Sequence, residues 1–328
     1  EEFNNKIISY VRKNSRNSIL AKRKDEPKDP ETPHFIPAYS QKVKASKEFQ
    51  TFQFDHSFVL NSLKSSMEGY VFHNQPLDTD DLLEQTVKLF NSCKTSLELF
   101  DMLHNMRAYD DSTHAHSLNV ALICRRIGKW LKVDAATLDT LTLCGLLHDI
   151  GKLKIPDEIL NKPGKYTDEE FDLVKRHTKF GYELLKPLNI DPHIKKAALL
   201  HHERCDGSGY PLKATQKDLD DFSMVVAIAD VYDAMTAARS YRAPLCPFQV
   251  IERFEQEGLQ KYKPKFILTF LQHIASTYQN NRVLLSNGQS ANIVMLNQQH
   301  LARPIVQLND NSCIDLSTRL DLHIQSIL

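Results

Sequence analysis

Residues 135–152, AATLDTLTLCGLLHDIGK, decide how the rest of the chain is read. Apolar side chains run through this stretch at helical spacing and stop at His148 and Asp149. Neighbouring side chains at a helix end leave in different directions, so the imidazole can bind one ion while the carboxylate bridges two. Working outward, His116 lies one helix-length earlier, and His177, the pair His201-His202 and Asp230 follow. Five imidazoles and two carboxylates with no thiolate form a borderline-to-hard ligand set, suited to Fe, Mn, Zn or Co. One tetrahedral ion cannot use seven ligands. Two ions sharing Asp149 use them all, and a metal pair activates water for phosphoester hydrolysis.

Helical patterns continue on both sides of this stretch. Residues 78–106 carry acidic groups in the first turn and apolar residues at 3–4 spacing. A further pattern starts at Ser112 or Thr113, and others cover 167–186, 191–205, 220–240, 247–258 and 264–281. The short connections predict an all-helical bundle over residues 78–280. Residues 1–77 read as a polar, basic and Pro-rich lead-in followed by a small mixed subdomain with scattered aromatics. Residues 281–328 change to short strand patterns with turn signals at Asn287-Gly288 and Asn309-Asp310. The fold class is therefore mainly α, with a small N-terminal subdomain and a short C-terminal antiparallel β unit.

Lys+Arg and Asp+Glu are equal at 41 each, which argues against a general DNA binder or a membrane-surface protein. No stretch reaches the ~18 apolar residues of a membrane span, and EEFNNKIISY does not read as a signal peptide. Cys93, Cys124, Cys144, Cys205, Cys246 and Cys313 form no CxxC and read as reduced core thiols of a cytoplasmic protein.

Several residues gain meaning from the ladder. Lys152 lies four residues after His148, on the same face if the helix continues, and a lysine there holds a phosphate oxygen as a point charge. Asp230 sits inside the apolar run MVVAIAD, where a carboxylate is expensive unless paired or metal-bound. His114 lies two residues from His116 and is expected at the surface.

HDIGK, IPDEILNKPGKYTDEE, HTKFGYELL, HHERCDGSGYP and IADVYDAMTAARSYR together resemble the HD-GYP family, a bacterial branch of the HD-domain metal-dependent phosphohydrolases. The resemblance covers about residues 110–265. It implies an HD-type helical bundle that hydrolyses cyclic di-GMP to pGpG, and often on to GMP, with two or three ions, commonly iron or manganese. By position it implies metal ligation by His116, His148, Asp149, His177, His201, His202 and Asp230, with Asp149 bridging. Lys152 would steady a phosphate and the attacking water. Arg239 and Arg242 match cations that grip the dinucleotide phosphates, and their planar forks suit phosphate oxygens independently of the resemblance. Gly209-Tyr210-Pro211 is the signature tripeptide, on a loop linked to substrate fit or to contact with a signalling protein such as a diguanylate cyclase-type domain. Self-association is left open.

Two departures stand out. Three-metal members have a Glu four residues before the first ligand histidine; Ser112 occupies that place, so two divalent metal ions are expected. After the tripeptide the family usually has glycines, and this chain has Lys213 and Gln216. Two alternatives stay open: a cyclic di-GMP receptor with weak turnover, and an HD hydrolase of another cyclic dinucleotide.

Overall fold

The computed structural model describes residues 38–106, 112–237 and 244–328. Two helices come first, α1 (Ala38–Ala45) and the long α2 (Lys47–His73), followed by α3 (Thr79–Ser92) and α4 (Ser96–Met106). The bundle continues with α5 (Thr113–Trp130), α6 (Ala135–Leu147), a 3₁₀ turn at Ile150–Lys154, and α7 (Asp157–Leu160). Next come α8 (Asp168–Lys175), α9 (His177–Leu185), α10 (Pro192–Leu200), α11 (Asp221–Thr236), α12 (Pro247–Glu257) and α13 (Pro264–Thr277).

Helix α6 is the axis. Every residue from Leu141 to Leu147 is buried, as a helix apolar on all sides must be. Helices α3, α5, α10 and α11 pack around it. Each buried leucine there contributes roughly 2 kcal/mol. The starts of these helices follow from short polar side chains. Ser112 caps α5, Asp134 caps α6, Asp191 caps α10 beside Pro192, and Asp220 caps α11. Thr167 and Glu170 form a capping box on α8. Each satisfies amide groups that the helix leaves without partners. His114, expected at the surface, is buried, because α5 is covered by α2, α6, α11 and α13.

The described part of the N-terminal region, read as mixed, consists of helices α1 and α2. Phe49, Phe52, Val59, Leu63 and Met67 of α2 are buried, whereas Phe54, Phe58 and Phe72 are exposed at 74%, 62% and 54%. Those outward aromatics blur the helical period in the sequence. The end of α2 reaches the 3₁₀ turn and α9: Lys154 Nζ donates to the Val71 carbonyl at 3.3 Å, and Tyr70 Oη donates to the Leu184 carbonyl at 2.5 Å.

The C-terminal segment is an antiparallel sheet of β1 (Arg282–Leu285), β2 (Ser290–Met295), β3 (Ile305–Leu308), β4 (Cys313–Asp315) and β5 (Ile324–Ile327), ordered β4-β3-β2-β1-β5. Asn287-Gly288 turns β1 into β2, with Gly288 at φ +83°, and residues 309–312 turn β3 into β4. Val283, Leu285, Ala291, Ile293, Val306 and Ile324 continue the hydrophobic core of the helices. Arg303 pairs with Glu252 at 2.7 Å, and Glu255 accepts from the Leu301 amide at 3.0 Å, so the sheet is tied to α12. All six cysteines are unpaired; Cys313 alone is exposed. Among the described residues no helix is long and apolar enough to cross a membrane.

Candidate metal centre

Each ladder residue sits where a helix presents it inward. His116 is in the first turn of α5, His148 caps the end of α6, and Asp149 follows. His177 opens α9, His201 caps the end of α10 with His202 next, and Asp230 lies in the middle of α11. The structure brings all seven side chains together around Asp149. Its Oδ2 faces His148 Nε2 at 3.2 Å and His116 Nε2 at 3.7 Å. Its Oδ1 faces His177 Nε2 at 3.4 Å and His201 Nε2 at 3.7 Å. Asp230 closes the group, with Oδ1 3.0 Å from His116 Nε2 and Oδ2 3.9 Å from His202 Nδ1.

Two ligand groups result. Asp149, His177, His201 and His202 each offer an atom within 4.8 Å of the others, and so do His116, His148 and Asp149. Asp149 belongs to both. The ring tautomers are fixed locally. Carbonyl oxygens only accept, so Nδ1–H of His148 donates to Gly145 (2.7 Å), that of His177 to Val174 (2.6 Å) and that of His201 to Ala197 (2.9 Å). Each ring therefore turns an Nε2 lone pair toward Asp149. His116 Nδ1 meets the Asp233 carboxylate at 2.8 Å, the carboxylate–histidine arrangement that orients metal ligands. His202 is the exception and turns Nδ1 inward.

The donor set fits a cation. His148 Nε2, Asp149 Oδ1 and His202 Nδ1 are buried with no hydrogen-bond partner, a costly state unless a positive ion satisfies them. Protonation agrees. Burial drives the His177 imidazole down to about 3 and also lowers His201 and His202, which leaves neutral rings with free lone pairs. Burial alone would raise Asp149, but the Lys152 ammonium beside it holds the carboxyl well below the carboxylate range. Asp230 is likewise held low, with the hydrogen bond and charge of His116 outweighing burial. His116 departs from the other imidazoles: burial lowers it, yet hydrogen bonds to Asp230 and Asp233 raise it to about 9.

Lys152 reaches the cluster by another route than a continued helix. Helix α6 ends at Leu147, and the 3₁₀ turn brings Lys152 Nζ to 2.5 Å from Asp149 Oδ2. That turn lies directly on α9: a Cβ at Gly151 would stand 2.0 Å from the His177 carbonyl, so only glycine permits the approach. Gly209 does the same for the signature loop, where a Cβ would stand 2.4 Å from Glu203 Cα. The loop lays Tyr210 on His202, with ring centroids 4.7 Å apart and planes at 25°. Pro211 follows through a cis peptide bond. Arg239 and Arg242 lie outside the described residues.

Two buried carboxylates were not singled out from the sequence. Asp233 stands one helical turn after Asp230, and the i, i+3 carboxylate pair in an apolar run was the available signal. Glu203 is fully buried and accepts from the amides of Leu212 at 2.6 Å and Ala214 at 3.0 Å, which fixes the loop.

Residues 81–266 match the family model described as HD domain. A 3'3'-cGAMP-specific phosphodiesterase 2 of Vibrio cholerae is 34% identical over 183 residues, covering 55% of this chain and 35% of that protein. A cyclic di-GMP phosphodiesterase of Thermotoga maritima is 36% identical over 178 residues, covering 53% of this chain and 48% of that protein. The chain thus matches half or less of the length of these curated relatives. A solved HDG"Y"P protein from Bdellovibrio bacteriovorus shares the fold at 19% identity and a TM-score of 0.56, covering 71% of this chain and 78% of that one. The helical bundle, the histidine–aspartate cluster within it and the motif loop stacked on it make one conclusion: the chain belongs to the HD domain family, in its HD-GYP branch.

Proposed function

We propose that this chain is a metal-dependent phosphodiesterase that opens cyclic di-GMP to linear pGpG, with GMP as the further product. The observation that carries the reading is the division of Asp149, whose two oxygens face two separate groups of histidines. Two divalent ions, iron or manganese, would be held: one by His116, His148, Asp149 and Asp230, the other by Asp149, His177, His201 and His202. Two rather than three is supported by Ser112, whose hydroxyl oxygen accepts from the Ala115 amide at 3.2 Å as the α5 cap. We take residues 78–280 as the catalytic unit, flanked by the N-terminal region (1–77) and the β unit (281–328).

When bound, the pair supplies water activation and offsets charge on the phosphoryl oxygens. The chain's residues hold the substrate. The Lys152 side chain is 23% exposed, so its ammonium can turn from Asp149 to a non-bridging phosphate oxygen. Arg239 and Arg242 would add positive charge at the phosphates, which guanidinium forks suit. Hydrolysis breaks the P–O3′ bond, with the hydroxyl of water going to phosphorus and its proton to the 3′ oxygen.

A second substrate, 3'3'-cGAMP, is supported by the name of the Vibrio cholerae relative. The receptor reading is opposed by the intact ligand set, since binding alone does not require seven ligands around one carboxylate. The test is to incubate full-length protein, loaded with manganese or iron, with each cyclic dinucleotide. Products are followed by chromatography and metals counted on the same sample. Turnover to pGpG or GMP with about two ions per chain is expected. Tight binding without turnover in fully metallated protein would overturn the enzyme reading.

A further inference from the structure

Beside the metal ligands stands an aromatic corner formed by Tyr210 of the signature loop and Phe171, a residue that none of the roles above uses. Tyr210 lies on His202, and its ring is 6.5 Å from that of His177. Phe171 of α8 stands across from it, with ring centroids 6.4 Å apart and planes at 78°. Both rings are half-buried, so each keeps surface toward solvent. Lys175, one turn further along α8, holds its ammonium 5.0 Å from the Phe171 ring centre. Phe171 and Lys175 contribute nothing to the ladder, yet α8 leads directly into His177 and fixes them beside it.

We propose that Phe171 and Tyr210 form a nucleobase subsite, in which a purine of the substrate packs against the aromatic corner while its phosphate lies at the metal ligands. This rests on the nucleotide-hydrolase reading above. Three observations support it. Tyr210 adjoins His202 and His177, Phe171 adjoins Tyr210, and neither ring is a ligand itself. The corner offers two faces at nearly a right angle, so a flat base can stack on one ring and meet the other edge-on. The Lys175 ammonium is ion-paired with Asp172 at 2.5 Å and keeps further N–H donors for the rim, where a guanine presents O6 and N7 as acceptors. Base–aromatic stacking of this kind accepts any purine, so the subsite accounts for affinity; discrimination of guanine from adenine falls to Lys175.

The experiment separates base from phosphate. Turnover of methyl 4-nitrophenyl phosphate, which has no nucleobase, is inhibited competitively with GMP and with ribose 5-phosphate in the full-length, manganese-loaded protein. GMP should inhibit at least fivefold more tightly than ribose 5-phosphate. Phe171→Leu should erase that advantage, and Phe171→Trp should restore it, with metal content per chain the same in all three proteins. The KM for cyclic di-GMP should rise at least fivefold in Phe171→Leu, with a much smaller change in kcat. An unchanged GMP advantage in Phe171→Leu would overturn the subsite. So would a loss of bound metal in that variant that Phe171→Trp also shows, because it would assign Phe171 to packing alone. If wild-type protein leaves cyclic dinucleotides intact but Phe171→Leu still erases the GMP advantage, the subsite stands and the substrate assignment falls.

Discussion

The two sides of Asp149 are built differently. On one side His177 and His201 donate to backbone carbonyls of their own or the preceding helical turn, and burial pushes both imidazoles down. On the other side His116 is held between two carboxylates, Asp230 and Asp233, and its pKa rises to about 9. The first side is neutral and ready for a cation at pH 7. The second carries a proton that an incoming ion must displace. In the proposed two-ion arrangement a shared carboxylate would join one preformed half-site to one that is charge-balanced without metal.

Removing the carboxylate that the two halves share should have the largest effect. Asp149→Ala should empty both, with bound metal falling to near zero and phosphodiesterase activity dropping by at least about 10³-fold. His148→Ala and His177→Ala should each lower the metal count on one side only. Metal analysis by mass spectrometry checks this, and retention of both ions in Asp149→Ala would refute the shared role.

Next in size is a change confined to one half. Asp233→Asn keeps a side chain that can accept from His116 Nδ1 but removes the charge. Loss of such an outer carboxylate weakens metal binding by about 10- to 100-fold. The expected effect is a selective loss of one ion at limiting metal, with the His177 half retained. Equal weakening of both halves would mean that Asp233 acts on the fold and not on His116.

The halves should also differ with pH in metal-free protein. His177 is depressed to about 3 when folded, against 6.5 for the free side chain, so the unfolded chain binds the extra proton. Its contribution is present above pH 6.5 and is lost as pH falls toward 3. His116 is raised to about 9 from 6.5, so its contribution is full below pH 6.5 and lost as pH rises through 9. Thermal unfolding of chelator-treated protein should therefore show stability declining at both ends. Metal-saturated protein should lose the alkaline decline, because the bound ion takes the place of the His116 proton.

What could be read from the sequence follows from the same contrast. His148, Asp149, His201 and His202 stand where an apolar helix ends, so a break in periodicity marks them. Asp230 stands out as a charge inside an apolar run. Asp233 has the same surroundings, but its partner His116 is 117 residues away, and only the folded chain shows the contact. Lys152 shares a face with His148 only if the helix continues; it stops at Leu147, and a 3₁₀ turn in which Gly151 lies against the His177 carbonyl delivers Lys152 instead. In α2 the exposed Phe54 and Phe58 hid the helical pattern that Phe49 and Phe52 establish. Fold class depends on local periodicity and survives such gaps; the site depends on contacts between distant segments.

The loop after the signature tripeptide gives the smallest and sharpest test. Lys213, which stands where the family usually has glycine, adopts φ +57°, the left-handed region that favours glycine. It is held there because Glu203 accepts from the amides of Leu212 and Ala214 on either side. A non-glycine residue in this conformation costs of order 1 kcal/mol, and a glycine added to the unfolded chain costs part of that back in entropy. Lys213→Gly should thus stabilise the protein by a few tenths of a kcal/mol to about 1 kcal/mol, with metal content unchanged. Lys213→Ala keeps the strain and removes the charge, so it should show no gain. If denaturant unfolding gave equal stabilisation in both variants, the lysine's charge and not its backbone conformation would be what the loop tolerates.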